Sequence, residues 1–340
     1  MNNRPKPFVI PIFIPHAGCP HRCVFCDQSA ITGFRHPPAA DEIRSIIHQF
    51  AAYNHRRRRP VQAAFFGGNF LGLAPEQVVG MLEATAACAR DGLIDSIRFS
   101  TRPDTITPAA LDLISAFPVQ TVEVGVQSMD DAVLALSRRG HTAEQSRTAL
   151  RLLQQRGLET GAQIMTGLPG DEGPPSIRTG EILSALAPDF VRIYPTVVVA
   201  GSVLAQRYLS GDYTPAGLGE TVVLVSRLYR IFEAQGVPVI RMGLQATEEL
   251  DNGATILAGP YHPSFGHLVR SHLFCDQAIK AIKAKAETTR EIELAVHPRD
   301  ISSLKGLRKS NIHRLREIFP LRPIRVVADK ALSPGQVICR

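Results

Sequence analysis

Short apolar runs alternate with longer amphipathic stretches through the first two-thirds of the chain. FVIPIFI, around Phe8, is short and β-rich and predicts a strand. From Asp41 to Tyr53 the apolar residues Ile43, Ile46, Ile47 and Phe50 recur at helical spacing. VQAAFF, Val61 to Phe66, reads as a buried strand that stops at Gly67-Gly68, and a helix is predicted from Pro75, a residue suited to a first turn. The cycle then repeats. Strands are expected at Ser96 to Ser100, Thr121 to Gly125, Gly161 to Met165 and Phe190 to Tyr194. Helices are expected from Pro108, Asp130 and Pro174, with helical sequence again after Tyr194.

Six strand–helix units with apolar strands imply a parallel sheet covered by helices. Six is short of the eight that close a TIM barrel. The expected class is α/β, a partial (βα)6 TIM-like barrel. Its chemistry should lie where strands end and loops begin, and the segments there read GGN, STRPD, GVQS, TGLPG and YPT. The run HRRRRP, His55 to Pro60, joins a helix to the next strand, so it belongs at the opposite end as a solvated loop. Past Pro238 the pattern changes. Helices are expected at Leu268 to Lys285 and Ser310 to Phe319, and strands at REIELAV and PIRVVAD. These make a small α+β C-terminal extension, so the predicted division is 1–238 and 239–340.

At 340 residues and 44% hydrophobic content the chain can bury a large core. No apolar run reaches the roughly 18 residues of a membrane span, and Pro11 and Pro15 interrupt the N-terminal apolar stretch, which lacks a small-residue cleavage site. A cytoplasmic protein with no membrane partner is expected. The net charge of +7 is unevenly spread: from Lys280 onward there are 14 Lys and Arg against 6 Asp and Glu. A basic module on a near-neutral body suggests a polyanionic partner, with a solvated basic face as the plainer alternative.

Three of the six cysteines fall within GCPHRCVFCDQ; Cys88, Cys275 and Cys339 are scattered. Six cysteines are too few for a disulfide scaffold, and a cluster of thiols in a reducing compartment points to metal or redox chemistry. The spacing Cys19-x3-Cys23-x2-Cys26 puts three thiolates on one loop, enough for three corners of a cubane iron–sulfur cluster with one iron left open. Zinc is the competing reading. It prefers two separated ligand pairs, and His16 or His21 would have to supply a fourth ligand.

This Cys-x3-Cys-x-aromatic-Cys pattern, with Phe25 at the aromatic position, resembles the signature of the radical S-adenosylmethionine (SAM) superfamily. FFGGNF resembles the Gly-Gly motif of those enzymes. VEVGVQSMDDAVLALSRRGHT resembles the fourth-strand region of oxygen-independent coproporphyrinogen oxidase and of the Elongator catalytic subunit. STRPD, MTGLPGD and VRIYPTVVVAGSVL are also similar to the Elongator subunit. The resemblance runs from about Phe8 to Tyr213. There are departures: Elongator subunits carry an insertion between the first two cysteines and a C-terminal acetyltransferase domain, and coproporphyrinogen oxidases an acidic residue near Ser100. Neither relative's own reaction is therefore the expected one.

The resemblance implies a partial barrel, a [4Fe-4S] cluster on Cys19, Cys23 and Cys26, and SAM bound through its amino and carboxylate groups. It also implies an electron donor of flavodoxin or ferredoxin type. Phe25, Gly67, Gly68 and Asn69 are expected beside SAM, the Asn69 carbonyl accepting from its amine. Gln127 and Ser128 are expected at its ribose or carboxylate, and Met165 at the adenine. Arg139 is expected to pair with the carboxylate; Arg138 is the alternative, and a surface salt bridge the plain one. Arg102 and Tyr194 are expected on the substrate side, or else as a local ion pair with Asp104 and a satisfied core tyrosine. The substrate is not legible; RNA modification, on tRNA, is the first reading. A small porphyrin-like molecule and a non-enzymatic metal protein are the alternatives.

Overall fold

The computed structural model describes residues 7–20, 22–27, 36–54, 58–245, 255–285, 291–320 and 323–340. Strand β1 (Phe8–Ile14) is followed by helix α1 (Ala40–Tyr53), β2 (Val61–Gly67), α2 (Pro75–Arg90), β3 (Ser96–Thr101) and α3 (Pro108–Ile114). Then come β4 (Val119–Gln127), α4 (Asp131–Leu136), α5 (Ala143–Gln155), β5 (Glu159–Thr166), α6 (Pro174–Leu186) and β6 (Phe190–Pro195). A short β7 (Val198–Val199), α7 (Val203–Ser210), α8 (Leu218–Ala234) and β8 (Val239–Met242) complete the main layer.

The large sheet runs β1-β2-β3-β4-β5-β6-β8 with parallel pairing throughout, as in Phe8 opposite Val61 and Ile14 opposite Gly67. Side chains alternate across a strand. In β4, Val122, Val124 and Val126 are buried in the core with Leu150 and Leu153 of α5. Glu123 alternates with them and is equally buried from the other face. The same split holds for Ile97 and Phe99 against Arg98 in β3, and for Val191 and Ile193 against Arg192 in β6. One face of the sheet is thus apolar and helix-covered. The other is polar and forms the inside of a partial α/β barrel.

Strands, first-turn prolines and element order follow the pattern of the sequence. Two features go beyond it. The sheet takes a seventh strand, β8, from beyond residue 238. A two-stranded antiparallel ribbon pairs β7 with β9 (Ile256–Ala258), tying the later chain back to the barrel. Next comes the long helix α9 (Phe265–Ala284), then β10 (Ile292–Val296), α10 (Ile301–Lys305), α11 (Ser310–Ile318), β11 (Ile324–Ala328) and β12 (Val337–Cys339). These three strands form a small sheet in the order β11-β10-β12, the expected α+β extension. Helix α9 serves both parts. Phe265, Val269 and Leu273 belong to the main core, and Phe274, Cys275, Ala278 and Ile282 to the core of the extension.

Of HRRRRP, residues 55–57 lie outside the described residues. Arg59 pairs with Asp95 (2.8 Å) and donates to the Gly92 carbonyl, at the strand starts and away from the cysteines.

Candidate active site

The cysteine loop leaves the C-terminal end of β1. Its first turn needs a left-handed backbone at His16 (φ 53°) and Gly18 (φ 70°). A Cβ at Gly18 would lie 2.2 Å from the Asn69 backbone carbonyl oxygen, so only glycine fits there. Val24, fully buried between the second and third cysteines, anchors the rest of the loop. Its N–H donates to Ser137 at the end of α4 (3.1 Å), and its carbonyl accepts from Leu204 of α7 (2.7 Å). Around it Val198, Leu204 and Ala205 form a small apolar cluster, joined from the edge by Phe25, Tyr208 and Tyr213.

Cys23 is buried, and Cys19 and Cys26 are half-buried. Burial, then the neighbouring Cys23, raises the Cys19 thiol above its ordinary range. Burial, then Cys23 and Cys19, pushes Cys26 up to about 12. The surroundings of Cys19 and Cys26 therefore oppose their thiolate forms. Among the described residues no group of three His, Cys, Asp or Glu is arranged to hold a metal ion as the side chains stand. Of the two histidines that could complete a zinc site, His21 lies outside the described residues.

Arg139, from the segment after α4, reaches this loop. It is buried, whereas Arg138 is exposed. Arg138 takes a left-handed backbone (φ 54°), and this turns the chain so that the next side chain points inward. Arg139 Nη1 donates to Cys23 Sγ (3.2 Å) and Nη2 to the Gly125 carbonyl (2.6 Å); its Nε is buried without a partner. Arg102 makes a bidentate pair with Asp104 (2.9 and 3.0 Å) and donates to the Arg139 carbonyl. The local ion pair with Asp104 is present and Arg102 holds Arg139, while its own Nη1 is buried without a partner. His141 lies beside both arginines, one ring nitrogen 3.2 Å from the Val126 carbonyl and Nδ1 buried without a partner. Burial first, then the charges of Arg139 and Arg102, pulls its pKa down to about 3.

Two expected cofactor contacts are committed elsewhere. The Asn69 side-chain Oδ1 already accepts from Thr101 Oγ1 (2.7 Å), Thr105 Oγ1 (2.9 Å) and the Arg102 N–H (2.9 Å). Its amide donates to the Gly18 carbonyl (2.8 Å). Asn69 pins the cysteine loop to the end of β3, and its carbonyl has no lone pair left for an amine. The Ser128 hydroxyl accepts from the Asp130 N–H (3.1 Å) and meets Thr179 of α6, so it faces the helix layer. Gly68 is also explained by the chain itself: a Cβ there would lie 2.4 Å from the carbonyls of Ile14 and Ala17. Gly67 (φ 102°) and Gln127 (φ 64°) take left-handed turns at the ends of β2 and β4. Met165 is half-buried at the end of β5, on the face opposite Ile164 of the core.

Tyr194 lies on the barrel interior and accepts from Arg192 Nη1 (3.3 Å). Arg192 and Arg98 flank the buried Glu123 at 2.9 and 3.3 Å, and Gln163 links Glu123 (3.0 Å) to Ser100 (3.2 Å). This network, and the buried unpartnered hydroxyls of Thr166 and Thr196 at the ends of β5 and β6, were not expected from the sequence. The signal was present: a single charged residue, Arg98, Glu123 or Arg192, inside each of the otherwise apolar strands SIRFST, VEVGVQ and FVRIYP.

A parallel partial barrel with three cysteines on the loop after its first strand, an inward arginine beside them and a polar interior defines an α/β enzyme with its chemistry at the strand ends. Two family patterns match the chain: the Radical SAM superfamily over residues 13–173 and the Radical SAM C-terminal domain over residues 188–274. The chain belongs to the Radical SAM superfamily, a superfamily of enzymes. Among curated proteins it is 25% identical over 241 residues to a tRNA uridine(34) acetyltransferase of Dehalococcoides mccartyi (strain CBDB1). That match covers 61% of this chain and 52% of the relative, so the chain spans about half of that protein's length. It is 28% identical over 230 residues to protein YhcC of Escherichia coli (strain K12), covering 63% and 72%. Among solved structures, Elp3 of Methanocaldococcus infernus superposes with a TM-score of 0.59 at 20% identity, over 78% of this chain and 62% of that one, a likeness of fold.

Proposed function

We propose that Cys19, Cys23 and Cys26 hold a [4Fe-4S] cluster, that SAM binds beside Arg139, and that the enzyme modifies RNA, tRNA in particular. The observation that carries this is the buried guanidinium of Arg139 at 3.2 Å from Cys23 Sγ. It supplies charge where thiolates must form and has an Nε still unpartnered.

The residues present fit the cluster. A cubane takes one thiolate per iron, so its ligands need not close around one point. Burial, and after it the neighbouring Cys23, opposes ionisation of Cys19 and Cys26, a penalty that iron ligation removes. When bound, the cluster supplies one electron that cleaves a carbon–sulfur bond of SAM, giving methionine and a 5′-deoxyadenosyl radical. The protein orients and shields. Arg139, held by Gly125 and by Arg102, presents its guanidinium to a carboxylate. The left-handed turns at Gly67 and Gln127, with Met165 and the hydroxyls of Thr166 and Thr196, line the strand ends where SAM would lie. Tyr194 and the Arg98–Glu123–Arg192 group form the deeper polar floor that faces substrate. Phe25 and Val24 close the apolar side of the loop against α7.

RNA is supported by the relative whose name gives tRNA uridine(34) as its target and by the exposed cations Arg308, Lys309, Arg314 and Arg316 on the extension. In this reading the barrel, from β1 through β8, carries the chemistry, and the basic extension holds the polyanion. A flavodoxin- or ferredoxin-type protein would deliver the electron. Anaerobic reconstitution is expected to give about four irons per chain, and dithionite with SAM is expected to yield 5′-deoxyadenosine. Deleting the gene is expected to remove one modified nucleoside from digested tRNA. A nucleoside profile that does not change, beside the loss of a small metabolite, moves the substrate away from RNA.

A further inference from the structure

Beyond the cysteine site, a groove of about 650 Å³ runs along β8 between that strand and the chain from α9 to α10. Its lining includes Arg241, Gln245, His267, Arg270, Arg299 and Ser302, and no Asp or Glu among the described residues. None of the three arginines forms a salt bridge with a described carboxylate. Elsewhere in the molecule arginines are commonly paired, as in Arg156–Asp112 and Arg178–Asp130. Three unpaired guanidinium groups converging on one concavity repel one another and cost stability unless an anion sits among them. The groove is too polar for an apolar ligand and is large enough for a nucleotide-sized group.

Its place in the sheet says what kind of anion fits. In the strand order β1 and β8 are the two ends, so they border the open side of the partial barrel. The cysteine loop leaves β1, and the groove follows β8. The outer edge of β8 has no partner strand among the described residues, so backbone N–H donors are added to the guanidinium groups. A chain of phosphates laid along β8 would pass the mouth of the barrel, from which one nucleotide can reach the interior.

We propose that this groove binds the phosphodiester backbone of the RNA substrate, with Arg241, Arg270 and Arg299 on its phosphates and Ser302 and Gln245 as hydrogen-bond partners. The proposal rests on the RNA reading above. It is tested with the reconstituted full chain and a fluorescent tRNA transcript, by anisotropy at rising salt. Arg270 and Arg299 are exposed, so Arg270→Gln/Arg299→Gln is compatible with the fold, and a thermal melt and iron content check this. Wild-type affinity should fall linearly in log salt, with the slope reduced by roughly 0.7 to 0.9 for each phosphate contact removed. The double variant should lose about tenfold or more in affinity and bring the slope nearer zero. The control Arg90→Gln/Arg151→Gln, which removes two exposed arginines that do not line the groove, should leave the slope unchanged. RNA binding with the same slope in both double variants overturns the groove and leaves the RNA reading standing. A wild-type chain that binds no tRNA overturns both.

Discussion

Arg138 and Arg139 are adjacent and chemically identical, yet only one can act on the site. The left-handed turn at Arg138 sends its own side chain to solvent and the next one to Cys23. Arg139→Ala removes a charged hydrogen bond, worth about 1.5–3 kcal/mol, so SAM affinity should fall roughly 10- to 100-fold. Loss of a positive charge at the sulfur should also make the cluster harder to reduce, which a redox titration reads as a more negative potential. Arg138→Ala should change neither; if it is the damaging substitution, the wrong arginine has been assigned. Cys19→Ala, Cys23→Ala and Cys26→Ala should each lose iron, whereas Cys88→Ala and Cys275→Ala, on thiols buried in the two cores, should retain it. His141 gives a pH signature. Its folded pKa of about 3 lies below the roughly 6.5 of an unfolded histidine, so as pH falls through 6.5 the unfolded chain takes a proton that the folded chain refuses. Stability should therefore drop between pH 7 and pH 5 by about 2 kcal/mol from this group alone. Urea midpoints should show that loss, and His141→Gln should reduce it; equal pH dependence in both proteins would show that the histidine is solvated.

At the scale of elements, the cysteine loop is held from three sides: by Asn69 after β2, by Ser137 after α4, and by Leu204 of α7. Leu204 is fully buried in a small cluster separate from the main core. Leu204→Ala should cost about 2–5 kcal/mol of packing, and this cost should fall on the loop more than on the barrel. A chelator should strip iron from the variant faster, while the main thermal transition shifts little; unchanged iron loss would mean that α7 does not support the loop. Several elements were legible in the sequence because one face of each strand must enter an apolar layer, so β1 to β6 stand out as short apolar runs. Their C-terminal ends, and with them the cysteine loop, follow from strand order alone. The β7–β9 ribbon was not legible, since strands of two and three residues carry no periodicity. Nor was β8, a four-residue strand beyond the last clear repeat. For Asn69 the motif gives the position of a side chain but not the partners its oxygen has in the fold.

At the scale of the whole molecule, the expected boundary at 238 separates two patterns in the sequence, but the packing runs across it. β8 closes the main sheet, and α9 enters the main core with Phe265 and leaves it in the extension with Ile282. A helix shared by two cores cannot lose one without exposing the apolar face it turned toward it, so opening of the extension should be coupled to opening of the barrel. Two native thiols report on this without any substitution. Cys88 lies in the main core and Cys275 in the core of the extension, both essentially without solvent exposure. With a thiol reagent and peptide mass spectrometry, the two cysteines can be followed separately as urea rises. Coupled cores predict that both become reactive with the same midpoint and the same steep dependence on urea, because each requires exposure of the same large surface. An extension hinged loosely on the barrel would instead expose Cys275 at low urea, with a shallow dependence, while Cys88 stayed protected. That outcome would also bear on the groove along β8, since Arg241 is held by the barrel and Arg299 by the extension, and they can face one ligand only if the two parts stay together.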